Sequence, residues 1–464
     1  MELLSYSLLV LLAHQVFVGF KISIKWFNGR ASVISSNSIV MVLFLIYVLF
    51  SAVLPIIFDD FVFTWAVAYG GAEQCVYALV LCVFAIFVYN YSYLFFGSYY
   101  KNRIISSSIV VRDDDNFYYL LYFMAAIGVV LRILIVYKIG GLSSAISQMS
   151  GGVREALAID NRDALVGLLR SFATIGDFAV TLLLCQLIIG RRGGVVLGCL
   201  YLALFLFVMF LSYISSGKRT SLAEYIIAIL VVYFYRVKFF GIVWSVLLVA
   251  LAVGFGWVTL WFRSIYAASV SGIYISFDDA HWSHGSLLGM YFFNLEFAFF
   301  ESIVLSMQSK DIILDMFGGS LLSFYTTNIE PIFYLVPRAI WSGKPNFFYD
   351  MSHAVGAVMF NVSLEESIVG IAPSYIGTMW IVGGAIAVFF YSTFVAFISA
   401  YSDTWFKYRG VKMDGVGCIL YSMMIFSAFI FWRQGGIGYS VIAIITSQIG
   451  HILGLFLIFG YIKR

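Results

Sequence analysis

The stretch YTTNIEPIFYLVPRAIWSGKPNFFYDMSH, residues 325–353, holds the residues best placed to do chemistry. Arg338 directly follows Pro337 and precedes Trp341, and Lys344 and Pro345 close the turn. Proline fixes φ, so a guanidinium in this setting is held on a stiff, aromatic-lined loop, as a charge-stabilising group must be. Arginine offers planar, bidentate contacts to phosphate. Around it, Glu330, Asp350, His353, Glu365 and Glu366 are candidate general bases. Tyr334, Trp341, Phe347, Phe348 and Tyr349 suit either stacking on sugar faces or a belt at a membrane interface.

Other cations repeat the theme. SSGKRTS, residues 215–221, places Lys218 and Arg219 beside Gly217 at the start of a helix, an arrangement suited to an anion and equally to a solvated turn. It lacks the spacing of a P-loop. GGLSSAISQMSGGVREALAIDNRDA, residues 140–164, sets glycine pairs around a polar stretch before Arg154 and Glu155, the composition of a mobile lid or of an ordinary surface loop. Arg162 in the same loop is a weaker candidate. HWSH provides His281 and His284 at i, i+3, but no further ligand set completes a zinc site. Asp59 with Asp60 and Asp278 with Asp279 could hold a divalent ion or form solvated turns. We expect no metal and no cofactor.

These residues are carried by a chain made for lipid. Of its 464 residues, 62% are hydrophobic and 11% charged, which excludes an ordinary soluble domain. A formal charge of +3 gives no electrostatic reason for a nucleic-acid partner. Apolar runs of about 18 or more residues recur, each long enough to cross roughly 30 Å of hydrocarbon. We expect an all-α polytopic membrane protein, one membrane domain over residues 1–464, with about 11 spanning helices and a range of 10–13. The expected helices cover 3–20, 38–56, 75–97, 117–136, 166–189, 195–213, 222–235, 240–262, 371–397, 415–432 and 440–460. The first carries no basic residue ahead of its apolar stretch, the reverse of a cleavable signal, so we read it as retained. The five cysteines show no CxxC or metal spacing, and four fall inside apolar runs, which suits buried thiols.

Lys21, Lys25, Arg30, Lys101, Arg103, Arg191, Arg192, Lys407, Arg409 and Lys412 cluster in short connections that alternate along the chain, and the positive-inside rule makes that side cytoplasmic. Two long loops then face outward, residues 137–165 and 264–366. Loops of that length usually have a function. Four of the five prolines fall between Pro331 and Pro373, marking fixed turns. Within the larger loop, residues 286–309 suit an amphipathic helix lying on the membrane better than another crossing, since Asn294, Glu296 and Glu301 oppose a lipid-exposed span.

Each ionisable group at membrane depth costs roughly 2.5 to 3.5 kcal/mol on insertion scales, so each needs a reason. Arg132, Arg170, Glu224, Arg263 and Arg433 fall near outer helix ends, and Asp177 lies deeper. Individually they can snorkel or pair, as Arg132 could with Asp177; together they suggest a polar cavity open to the outside.

SSGKRTSL, then FGGSLLSFYTTNIEPIFYLVPRAIWSGKP in a large outer loop, then PSYIGTMWIVGG entering the next helix, resemble the bacterial oligosaccharide repeat-unit polymerases of the O-antigen polymerase (Wzy-type) family. The PR-x-x-W-x-x-KP turn is the specific part; Ser342 and Gly343 stand where many relatives have Pro and Asp. The resemblance implies a metal-independent glycosyltransferase of the GT-C type. It would use undecaprenyl-diphosphate-linked glycan as donor and acceptor on the periplasmic face of the bacterial inner membrane, with membrane lipid and a chain-length regulator as partners. In such a site Arg338, Arg219 and Lys218 would bind diphosphate, with Lys344, Tyr334, Arg263 and Arg433 completing the glycan and diphosphate contacts. Arg154 would position donor or acceptor, and His353 or Glu330 would be the base. An O-antigen ligase-like enzyme and a transporter of lipid-linked oligosaccharide are the rival expectations.

Overall fold

A computed structural model describes residues 2–27, 34–53, 64–104, 115–141, 164–190, 195–216, 219–236, 299–335, 351–364 and 373–462. Every regular element among them is helical. Among the described residues nine helices are long and apolar enough to cross a membrane. They match nine of the eleven expected crossings; the tenth, at 222–235, is present as a shorter apolar helix, and residues 240–262 lie outside the described residues. The chain divides into two compact units.

The first unit comprises residues 1–104, 284–404 and 424–444. It contains α1 (Glu2–Trp26), α2 (Ser36–Leu43, continuing as a π-helix over Phe44–Phe50) and α3 (Thr64–Lys101). Then come α8 (Phe299–Gln308), α9 (Lys310–Met316), α10 (Ser320–Asn328), a 3-10 turn (Glu330–Leu335) and α11 (Met351–Phe360). Most of α12 (Ser374–Tyr408) and parts of α13 (Asp414–Gln434) and α14 (Ile437–Ile462) complete it. Its core joins Leu12, Val16, Met41, Phe44, Ile86 and Tyr89 to Val304, Tyr375, Tyr391 and Trp432. Phe44 meets the edge of Trp432 with ring centroids 5.7 Å apart, and Tyr375 stacks on Tyr391 at 5.4 Å. Large aromatic side chains therefore fix the packing where apolar surface gains little by leaving lipid.

Polar groups satisfy the helix ends inside this core. The first amides of α2 have no partners in their own helix. The backbone N–H groups of Ser36 and Asn37 donate to Asp403 Oδ1 and Oδ2 at 2.8 and 3.2 Å, and that of Ser38 donates to Ser35 Oγ at 2.9 Å. Tyr93 adds its hydroxyl to Asp403 Oδ2 at 2.7 Å. A carboxylate from α12 thus caps α2, with the charge favourable at a helix N-terminus.

Two expectations change here. The helix foreseen over 371–397 runs on to Tyr408, and it breaks at Gly383 and Gly384, where Gly384 has φ +64°. Only glycine adopts that backbone readily, so WIVGGAIA contains a built-in break. The described part of 286–309, α8, is not a surface helix. Phe300, Glu301, Ser302, Ile303, Val304 and Leu305 are all buried, because α8 is enclosed on both faces within the unit.

The second unit comprises residues 105–283, 405–423 and 445–464. It contains α4 (Asp115–Lys138), α5 (Ala164–Ile188), α6 (Val195–Ser216), α7 (Arg219–Arg236) and the remaining parts of α12, α13 and α14. Small residues let its backbones touch. A β-carbon on Gly128 of α4 would lie 2.3 Å from the Cα of Gly176 on α5. On the other side of α5, Gly450 and Gly454 of α14 approach Thr174, Ile175 and Phe178, and the Gly450 amide donates to Thr174 Oγ1 at 3.0 Å. Such glycine contacts are how helices associate closely in lipid.

Candidate functional site

In the first unit the NIEP segment is docked on the turn between α13 and α14. Asn328 Oδ1 accepts the backbone N–H of Ile437 at 3.1 Å, and its amide nitrogen donates to the Phe324 carbonyl at 3.1 Å. The turn sequence QGGIG explains the fit. A β-carbon on Gly436 would lie 2.7 Å from the Thr327 carbonyl, and one on Gly438 would lie 2.7 Å from the Asn328 carbonyl and 3.1 Å from Pro331. Gly435, at φ +72°, faces the Ser374 carbonyl and Thr378. Ser374 itself has φ +53°, an unusual backbone for a non-glycine residue.

Glu330, His353 and Arg433 all belong to this unit. Glu330 opens the 3-10 turn directly after the docked Asn328–Ile329; partial burial raises its carboxyl above the usual range, against a hydrogen bond with Thr326. His353 is half-buried on α11, and Arg433 is half-buried in the last turn of α13, where a cation suits the helix dipole. Lys310 lies over the Trp380 ring at 5.5 Å, tying α9 to α12. Arg338, Arg154, Lys218, Lys344 and Arg263 lie outside the described residues, as do Asp350, Glu365, Glu366, Asp59, Asp60, Asp278, Asp279, His281 and His284. Arg219 begins α7 and Tyr334 lies in the 3-10 turn, both placed by backbone alone.

Sequence reading missed Glu301 as half of a pair. Ser51, just past the π-helical stretch of α2, donates to Glu301 Oε2 at 2.7 Å. Burial holds the Glu301 carboxyl up at about 7, the Ser51 hydrogen bond notwithstanding. Its signal was a glutamate inside an apolar run.

The second unit holds a separate buried polar cluster. Arg132 on α4 is ion-paired with Asp177 on α5, as its position allowed. Asp177 Oδ2 also accepts from Ser212 Oγ at 3.2 Å and Tyr225 Oη at 2.9 Å, while Arg132 Nη1 donates to Ser215 Oγ at 2.7 Å. Gln448 Nε2 donates to Glu224 Oε1 at 3.4 Å and to the Met423 carbonyl at 3.2 Å. His451 Nε2 lies 3.9 Å from Glu224 Oε1, and its ring stacks on Tyr225. Arg132 Nε, Asp177 Oδ1 and His451 Nδ1 make no hydrogen bond among the described residues.

The expected outer cavity is thereby revised. Arg132, Asp177 and Glu224 do come together, but each is almost wholly buried, because small residues and tight helix contacts close the cluster. Arg433 belongs to the other unit. His451 and Gln448 escaped notice in the sequence, although a Gln and a His at i, i+3 inside an apolar helix, beside Gly450-x-x-x-Gly454, were a legible signal. Among the described cysteines all are free, and Cys199 is exposed rather than buried, on the outer face of the apolar α6.

The described elements, all of them helical, define a polytopic membrane protein. Comparison of the chain with family models, with curated proteins and with solved structures gave no match.

Proposed function

We propose that the protein polymerises undecaprenyl-diphosphate-linked oligosaccharide repeat units at the periplasmic face of the bacterial inner membrane. One observation carries the reading: the NIEP segment, which leads into the Arg338 turn, is locked by Asn328 onto the QGGIG turn joining two apolar helices. A catalytic loop borne at the ends of spanning helices suits a donor and an acceptor that are both anchored in lipid. The nine candidate spans among the described residues supply the surrounding for such carriers.

In the reaction, a hydroxyl of the acceptor repeat unit attacks the anomeric carbon of the donor glycan. The anomeric C–O bond to diphosphate breaks, undecaprenyl diphosphate leaves, and the hydroxyl proton passes to a base. The leaving group is already good, so the protein has mainly to orient the hydroxyl and stabilise developing charge. Within the first unit Arg338 takes the diphosphate, with Lys344 and Arg433 as further cations and Tyr334 against the glycan. His353 or Glu330 is the base; partial burial raises the Glu330 carboxyl above the usual carboxylate range.

A transporter of lipid-linked oligosaccharide is the second reading, favoured by the ionisable cluster among apolar helices and by the break in α12 at Gly383–Gly384. Deletion of the gene and complementation with wild type or Arg338→Ala separates the two by the surface glycan. A polymerase predicts loss of the long ladder with single-repeat product retained. Loss of all surface glycan, with lipid intermediate trapped in the cytoplasm, would instead establish the transporter. An O-antigen ligase-like enzyme predicts polymer retained on its lipid carrier.

A further inference from the structure

The polarity of α10 is inverted. Leu321 is 85% exposed and Leu322 51%, and the apolar face continues through Phe324, Ile329, Ile332 and Phe333. The buried side of the same short segment is polar: Ser323 at 0%, Thr327 at 2% and Asn328 at 5%. A helix on a water-facing surface does the opposite. Rolling the segment over would break the Asn328–Ile437 hydrogen bond and the close contacts of Thr327 and Asn328 with Gly436 and Gly438, so its outward face is set by packing.

We infer that Ser320–Phe333 is a membrane-seated element whose outward face rests in the hydrocarbon of the bilayer. Three observations on the segment favour lipid as the occupant. Within Ser320–Phe333 the one charged residue is Glu330, which is half-buried, so the exposed residues of the patch carry no charge and lack the charged rim typical of a docking site for another protein. The turn that holds the segment joins two helices apolar enough to span, and Gly435 in that turn meets the start of a third, α12. Exposed aliphatic and aromatic side chains of the same kind, such as Ile386 and Phe390, cover α12 itself, which makes the patch continuous in character with a lipid-facing surface. The element is too short to cross, so it lies half-immersed near the helix ends.

Spin labels on the full-length chain in phospholipid nanodiscs test this. In a chain with the five native cysteines replaced by serine, cysteine is introduced at Leu321 or Phe333, with Phe390 on α12 as the lipid reference and the exposed Asp311 on α9 as the aqueous one. Power saturation should show the labels at 321 and 333 relaxed by oxygen in preference to a nickel chelate, as at 390. Preference for the chelate, as at 311, would overturn the inference in favour of a water-exposed loop. Shielding from both agents would overturn it in favour of a protein partner. Should the cysteine-free chain fail to fold, benzoylphenylalanine at 321 in the otherwise native chain gives the same decision: a phospholipid adduct supports the inference, and a protein adduct or none overturns it.

Discussion

Gly128 and Gly176 bring α4 and α5 into backbone contact, and the two charged residues beside them depend on that closeness. Arg132 lies one helical turn beyond Gly128, and Asp177 is the neighbour of Gly176, so the crossing point delivers the guanidinium to the carboxylate. Gly128→Leu should therefore force the helices apart and cost about 1–3 kcal/mol or more through overpacking. Thermal unfolding of the purified protein in detergent reads this as a lowered midpoint; an unchanged midpoint would mean the helices do not meet there.

The ion pair makes its own prediction. Asp177→Asn leaves a buried guanidinium uncompensated and should cost about 3–5 kcal/mol, as should Arg132→Met from the other side. The double variant Arg132→Met with Asp177→Leu should recover much of that loss, since neither charge is then stranded. Tyr225→Phe, which removes one of three donors to Asp177 Oδ2, should cost only about 1 kcal/mol. A double variant as unstable as the sum of the singles would argue against direct pairing.

Glu301 predicts a pH dependence of opposite sign to that of a salt-bridged acid. Its folded pKa of about 7 lies above the ordinary 4.5, so the folded state holds the proton more tightly. The stabilisation is present in full below about 4.5 and is lost as pH rises towards about 7, a total on the order of 3 kcal/mol. Wild type should thus lose apparent stability between those pH values, and Glu301→Gln should flatten that part of the profile. A glutamine variant with the wild-type slope would assign the effect elsewhere.

Asp403 caps a helix that it does not belong to. Asp403→Ala should strand the Ser36 and Asn37 amides and cost about 0.5–2 kcal/mol, the range for loss of a cap. Asp403→Asn, which keeps an acceptor oxygen, should lose less. Equal losses would indicate that the negative charge, rather than the hydrogen bonds, holds the end of α2.

The apolar runs were legible because hydrocarbon thickness imposes a minimum length, and among the described residues nine of them stand as long helices. What sequence could not show was which side of a short apolar segment faces inward. Residues 286–309 had the composition of a surface helix, yet α8 is enclosed, while the apolar outward face belongs to α10 a few residues later. Composition reports how much apolar surface a segment has, not what covers it. The Arg132–Asp177 pair could be foreseen because charges in lipid demand partners, but His451, Gln448 and Tyr225 needed the tertiary packing to reveal them. Asn328 looked like one polar residue among several in a loop; its role arises from two glycines, Gly436 and Gly438, more than a hundred positions away.

Elongation by the purified protein tests the central proposal most directly. The full chain, reconstituted in vesicles, is supplied on the periplasmic side with an undecaprenyl-diphosphate-linked repeat unit without added metal, and products are resolved by length. Wild type should convert the single repeat into a ladder, Arg338→Ala should leave it unextended, and undecaprenyl diphosphate should be released once for each linkage formed. Single repeats that remain unextended but cross the bilayer, in wild type and at normal protein level, would contradict the account.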